Sequence, residues 1–306
     1  MKTPKKAILG ILFTIAVVAF SPASFGGSIA SIVVYGDSLS DNGNLYSAIA
    51  YPPAPYWNGR FSDGPVAIEQ MAAMLGVPLI DFALGGATTG IGNYVDGGTP
   101  TSFGVSGLPG MSTTFSLTSA SLIPQDTLFV VWGGPNDFWS PSSLDTTPEQ
   151  IWTRSVGDLM SIVNGLRSLG ATNILVPGMP DLGLTPGAVV DGKVAESTAF
   201  AIGFNSALLA TLPPGVKFFD TFTLFHSIVN NPGAYGFTNV TEPCFNGATV
   251  CGNPDNYLFW DGVHPTTAAD RYLAAGLIAA VPEPGIMLLL GTGLGVIALA
   301  TRRRAK

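Results

Sequence analysis

Charge is scarce in this chain: Asp, Glu, Lys and Arg make up 11% of its 306 residues. Histidine and cysteine are scarcer still, two of each, and the sequence carries no internal repeat. Each shortage excludes something. With two histidines, and none near the two cysteines, there is no H-E-x-x-H and no Cys/His quartet to hold a hydrolytic or structural metal. No G-x-x-x-x-G-K-[ST] loop offers a phosphate cradle, so nucleotide chemistry has no support. No G-x-S-x-G elbow is present, which disfavours the common α/β-hydrolase design. No cofactor is expected.

What the chain has in quantity is apolar residues, 47% of the total, enough for one large buried core and too many for disorder. Its 38 glycines and 24 prolines follow no fixed period. They indicate many turns and long loops rather than a collagen-like or solenoid array.

The two ends read differently from the middle. Lys2, Lys5 and Lys6 precede the apolar run 7–20 and then small residues, the pattern of a signal peptide over about residues 1–27 that signal peptidase would remove. At the other end, 17 uncharged residues from Gly285 to Thr301 are closed by Arg302, Arg303, Arg304 and Lys306. That length is the short limit of a membrane span. With Pro282-Glu283-Pro284 before it, the tail (282–306) resembles the PEP-CTERM sorting signal. The resemblance implies a Gram-negative bacterium, transient membrane anchoring through the C-terminal helix, and processing by an exosortase. It places the mature protein in the envelope, at the surface or in the extracellular matrix.

The domain between, 28–281, keeps 6 basic and 19 acidic residues, a net charge of about −13. Nucleic acid is therefore not an expected partner. Cys244 and Cys251 lie seven apart in a polar loop of an exported protein, and a disulfide stapling that loop is expected.

Five apolar runs read as buried strands: 31–35, 78–83, 127–132, 172–177 and 215–219. Helical patterns separate them, near 63–75, from Thr147-Pro148-Glu149-Gln150 to Gly170, and over 191–211 and 266–280. Strands alternating with helices predict an α/β fold, a parallel sheet covered on both faces with its site at the carboxyl ends of the strands. Ser38 follows the first run, Gly85-Gly86 the second and Gly134-Pro135-Asn136-Asp137 the third. The stretch 85–110, with nine glycines, reads as a mobile loop over the site.

A serine hydroxyl needs a base to become a nucleophile, and the base needs an orienting partner. His264, three residues after Asp261 in WDGVHP, can meet that carboxylate across one tight turn. Alone, it could equally be a solvent-facing loop residue ahead of Pro265. His226 has no acid nearby in sequence and reads as a helix or loop residue. Asp37 reads as a brace for the turn rather than a reacting group.

Together these segments resemble the SGNH hydrolases, the GDSL esterases and lipases. The blocks are Gly36-Asp37-Ser38-Leu39 with its extension to Asn44, DFALGGATT at 81–89, GGPND at 133–137, and Asp261-Gly262-Val263-His264. NGRFSDGPVAIEQMA (58–72), VPGMPDLGLTP (176–186) and FHSIVNNPGAYGF (225–237) also match, so the likeness spans about 31–280. Asp81 departs from it, standing where many relatives carry Asn.

The resemblance implies a flavodoxin-like three-layer α/β/α sandwich around a mainly parallel five-stranded sheet. It implies a catalytic triad of Ser38, Asp261 and His264, and an oxyanion hole of the Ser38 and Gly86 N–H groups and the Asn136 amide. Gly86 is expected to be glycine so that the backbone can approach the substrate. Trp57, Phe61, Trp132, Phe138, Trp139, Phe259 and Trp260 could line a pocket, although such residues are more often core. The implied activity is hydrolysis of acyl esters, of lipid or of an acylated glycan. The rival readings are a polysaccharide deacetylase and a non-enzymatic carbohydrate-binding surface protein on the same scaffold.

Overall fold

The structure, a computed structural model, describes residues 29–97, 108–116 and 126–281. The expected signal peptide and sorting tail lie outside these residues. Among the described residues no helix is long and apolar enough to cross a membrane.

The chain runs through β1 (Ser31–Gly36), α1 (Asn44–Ile49), α2 (Ala67–Leu75), β2 (Leu79–Asp81), α3 (Met111–Ser116), β3 (Thr127–Trp132), α4 (Pro135–Trp139) and α5 (Pro148–Ser168). It continues through β4 (Asn173–Pro177), α6 (Pro186–Val190), α7 (Val194–Thr211), β5 (Lys217–Phe219), α8 (Thr221–Asn230), β6 (Asn239–Pro243), β7 (Tyr257–Phe259) and α9 (Thr267–Ala280). The five strands expected from the apolar runs form one parallel sheet in the order β2-β1-β3-β4-β5.

The strand period of two sends alternate side chains to opposite faces. Val33, Tyr35, Phe129, Val131, Ile174 and Val176 pack toward α5 and α7, while Ile32, Val34, Leu128, Val130 and Leu175 pack toward α2 and α9. The sheet is thus buried on both faces, which explains why β1 and β3 read as unbroken apolar runs. The expected α/β/α sandwich is what forms.

The helices follow their capping chemistry. Thr147 Oγ1 accepts from Gln150 N, and Gln150 Oε1 accepts from Thr147 N, so α5 begins at Pro148 as the capping signal predicts. Val156, Leu159, Val163 and Leu166 lie buried on its inner face. The helix expected over 191–211 starts only at Val194, because Gly192 sits at φ +66°, where a helix cannot run. Likewise α2 starts at Ala67, after Gly64-Pro65, where the Glu69 carboxylate accepts from Val66 N at 3.1 Å. The sequence pattern does not predict β6 and β7. They are short, partly polar segments paired parallel to each other outside the main sheet, and β7 delivers the chain to Asp261.

Candidate active site

β1, β2 and β3 are neighbours in the sheet, so the three blocks that follow them converge at one edge of it. The chain leaves β1 in a tight turn: Asp37 O accepts from Ser40 N and Asp41 N, and Asp37 Oδ1 accepts from Leu39 N at 3.0 Å. Asp37 therefore does brace the turn. Gly36 can carry no side chain without crowding, since a Cβ there would sit 3.0 Å from Trp132 O and 3.1 Å from Ser40 Cβ.

Buried carboxylates join the blocks. Asp41 accepts from Gly43 N and Asn44 N with Oδ1, and from Leu45 N and Gly85 N with Oδ2. It ties the first block to the residue before Gly86. Asp81 accepts from Ala83 N at 2.7 Å and from Asn42 N at 3.1 Å, so both carboxylate oxygens brace the same junction. The departure from Asn at this position thus adds an acceptor, and burial pushes its carboxyl well above the usual range. Asp137 accepts from Thr89 N and Thr89 Oγ1, both at 2.9 Å, and from Arg154 Nη1 at 3.0 Å, binding the second block to the third. Neighbouring Asn136, buried near the start of α4, donates from Nδ2 to Ala87 O at 3.1 Å.

Gly86 sits at φ +77°, and a Cβ on it would come within 2.5 Å of Asn93 Oδ1 and 2.6 Å of Val95 Cγ2. Its need for glycine is thus positive φ and packing against the following loop, rather than substrate approach alone. The described part of that glycine-rich stretch is knitted, not loose. Tyr94 N donates to Gly86 O, Asn93 Nδ2 to Gly85 O and Thr88 Oγ1 to Gly92 O. Residues 98–107, also part of the expected mobile loop, lie outside the described residues.

The remaining pair arrives from the far end of the chain. Asp261 Oδ1 accepts from Val263 N at 2.8 Å and His264 N at 2.7 Å, closing a turn that swings the imidazole back onto the carboxylate. His264 Nδ1 stands 2.8 Å from Asp261 Oδ2, and Nε2 stands 2.8 Å from Ser38 Oγ. Burial pushes the Asp261 carboxyl up. The His264 charge and the hydrogen bonds from His264 and Val263 outweigh burial and hold it at about 2. An ionised Asp261 is matched by an Nδ1–H donor, the tautomer that in a neutral ring leaves Nε2 to accept from Ser38.

The expected residues Ser38, His264, Asp261, Gly86 and Asn136 are therefore brought together, and Ser38, Gly86, Asn136 and His264 line one cleft. His226 goes elsewhere: its Nε2 meets Asp181 Oδ2 at 2.9 Å, an acid 45 residues away that sequence proximity did not reveal. Cys244 and Cys251 form the expected disulfide. Of the aromatics singled out, Trp132, Phe259 and Trp260 are core, Phe61 packs on the His264 ring, and Trp139 stays partly exposed at the cleft. Sequence reasoning missed Tyr56, whose hydroxyl donates to Asp261 Oδ2 at 2.7 Å. Only its place at the end of a proline-rich stretch, in YPPAPYW, marked it, and that says nothing of a partner 205 residues away.

Two cavities meet at Ser38 and His264. One is a narrow slot of about 30 Å³ walled by Leu39, Pro135, Leu182, Phe225, Phe259 and Val263. The other is a cleft of about 270 Å³ bordered by Tyr51, Phe61, Tyr94 and Trp139.

The sequence model of the GDSL-like lipase/acylhydrolase family matches residues 32–277, and the chain belongs to that family. Ester hydrolysis is the chemistry of that family. The PEP-CTERM protein-sorting motif matches residues 280–304, which marks the protein for export to the envelope or surface of a Gram-negative bacterium. The chain is similar to thermolabile hemolysin of Vibrio parahaemolyticus, 27% identical over 290 residues, covering 82% of this chain and 63% of the hemolysin. It thus spans a little under two thirds of that relative's length. It is also similar to phosphatidylcholine-sterol acyltransferase of Aeromonas hydrophila, 28% identical over 299 residues, covering 79% of this chain and 87% of the other. The fold is shared with a crystal structure from Parabacteroides merdae described as a GDSL-like lipase. The TM-score is 0.52 at 14% identity, over 84% of this chain and 97% of that one.

Proposed function

We propose that the protein hydrolyses carboxylic esters outside the inner membrane through an acyl-enzyme on Ser38. The observation that carries this reading is the continuous chain Ser38 Oγ, His264, Asp261, with 2.8 Å at each step. Ser38 Oγ attacks the ester carbonyl as His264 Nε2 takes its proton, and Asp261 stabilises the imidazolium that forms. The oxyanion is received by the Ser38 and Gly86 N–H groups and the Asn136 amide. Collapse expels the alcohol, which takes its proton from His264. Water, deprotonated by the same nitrogen, then attacks the acyl-enzyme, releasing the carboxylic acid and restoring Ser38.

The cavities bear on the substrate. By the measure in which a single water needs roughly 10–15 Å³, the slot accommodates only a few heavy atoms. A short acyl group such as acetyl fits it and leaves the alcohol to the aromatic-bordered cleft. The partly exposed rings of Tyr51, Tyr94 and Trp139 suit the face of a sugar, which favours, as a second reading, removal of acetyl groups from an extracellular glycan. A non-enzymatic carbohydrate-binding role leaves the hydrogen-bonded Ser38–His264 pair without a purpose.

The test is hydrolysis of p-nitrophenyl acetate, butyrate and palmitate by the purified protein and by Ser38→Ala. Acetate and butyrate are expected to turn over faster than palmitate, with all activity lost in the variant. Preference for palmitate would assign the cleft to a long acyl chain. Inactivity of well-folded wild type on every ester would bring the binding-protein reading forward.

A further inference from the structure

We infer that Tyr56 is a positioning residue for the Asp261–His264 pair, a role that rests on the acyl-enzyme reading above. Its hydroxyl donates to the same carboxylate oxygen, Oδ2, that meets His264 Nδ1 at 2.8 Å. Oδ1 is already committed to the backbone N–H groups of Val263 and His264. Tyr56 thus supplies a side-chain donor that comes from outside the turn itself. A carboxylate fixed only by its own turn can rotate with that turn, whereas one fixed from a second element has its plane set. The imidazole that follows Asp261 must point Nε2 at Ser38, so the carboxylate plane fixes the aim of the base.

The phenol is itself held on several sides. Its ring meets Phe61 edge-on at 6.0 Å, Phe245 at 5.7 Å and Trp260 at 6.1 Å. Phe61 also lies against the His264 ring at 5.0 Å. Phe245 follows Cys244 of the disulfide, stacks on Trp260 at 5.8 Å and donates from its backbone to Trp260 O at 2.6 Å. The stapled loop, the aromatic group and the 51–62 segment therefore converge on one hydroxyl. Burial and the Asp261 charge push the phenol's pKa upward, so it remains a donor throughout the range in which an esterase works.

A hydroxyl donating to Oδ2 also draws off part of the carboxylate charge that His264 feels. Tyr56→Phe keeps the ring packing and removes only that donor. The expected result is a fall in kcat of about tenfold, the scale of one hydrogen bond to a charged group, with KM nearly unchanged. The acidic limb of the kcat/KM profile, set by His264, should move upward, because the carboxylate then favours the imidazolium more strongly. A merely structural residue would lower Tm without moving that limb.

A double-mutant cycle completes the experiment on the full chain. In an Asp261→Asn background, Tyr56→Phe should cost almost nothing further, since the oxygen it served no longer carries the charge. Phe245→Leu, which leaves the hydroxyl but loosens its ring, should lower kcat by less than Tyr56→Phe and should likewise lose its effect beside Asp261→Asn. An unchanged kcat and acidic limb in folded Tyr56→Phe would overturn the inference. So would an equal loss in the wild-type and Asp261→Asn backgrounds, measured for either variant. Failure of the underlying reading is seen separately, as survival of activity in Ser38→Ala.

Discussion

Ser38, Gly86 and Asn136 stand at the ends of three adjacent strands of one sheet, whereas Asp261 and His264 stand on a turn that follows β7, outside that sheet. The first group is held by polar means. Asp41 accepts four backbone N–H groups, and Asp81 and Asp137 take further N–H groups from the same loops. The second is held by a short turn, a cluster of rings, the Tyr56 hydroxyl and a disulfide loop. Loops braced just beyond strand ends have fixed N–H directions, which suits the oxyanion role proposed for the Ser38 and Gly86 N–H groups. The proposed base is a side chain, and rings packed around Tyr56 and against His264 hold it in place of a strand.

The sharpest way to probe this difference is to remove one member from each half. Ser38→Ala and His264→Ala should each lower p-nitrophenyl acetate hydrolysis by about 10⁴-fold or more, because nucleophile and base act as one unit. A loss of less than about tenfold in either variant would break the pairing of the two halves. Next in size, Asn136→Ala should reduce kcat by about 10²- to 10³-fold with little change in KM, the effect of one oxyanion donor. An effect mainly on KM would mean that Asn136 binds ground-state substrate instead.

The smaller effects concern stability, and they separate the halves by mechanism. Asp37, fully buried, titrates near 7 in the fold against 3.8 as its ordinary value, because burial disfavours its charge. Its Oδ2 has no hydrogen-bond partner among the described residues. As pH rises, the unfolded chain gives up this proton first. The group therefore costs nothing below about pH 4, and it removes stability, up to a few kcal/mol, as pH climbs from there to about 7. Asp37→Asn cannot titrate, so the Tm difference between variant and wild type should move in the variant's favour from pH 4.5 to pH 8. A difference that stays constant with pH would return Asp37 to ordinary behaviour. On the other side, replacing Cys244 and Cys251 by serine should lower stability by about 2 kcal/mol, independent of pH over the same range, as expected for so short a closed loop. Thermal melts of the oxidised protein and the double variant check this, and no change would mean that β6 and β7 hold the loop unaided.

Much of the site was legible because its signals are local. Asp261 and His264 are three residues apart, so one turn both joins them and can be read from WDGVHP. The oxyanion candidates follow apolar runs that alternate with capped helices, and a parallel sheet gathers such loops at one edge. The reason for glycine at position 86 was not legible, since a Cβ there would meet Asn93 and Val95 only after the chain has turned back, and its positive φ is a property of the folded loop. Nor were β6 and β7, because NVTEP and YLF are too short to show a period and their pairing with each other joins segments distant in sequence.

Periodicity, and groups a few residues apart, were therefore enough for the sheet, the loops that gather at its edge and the disulfide, while the pairing of His264 with Asp261 was one of two open readings until the resemblance of all four blocks favoured it. Other contacts came into view only with the folded chain: Asp41 clamps Gly85, His226 turns to Asp181, and Tyr56 donates to Asp261. Their partners lie 44 to 205 residues apart. No local pattern encodes them, because such partners are chosen by the burial of the whole core and not by neighbours along the chain.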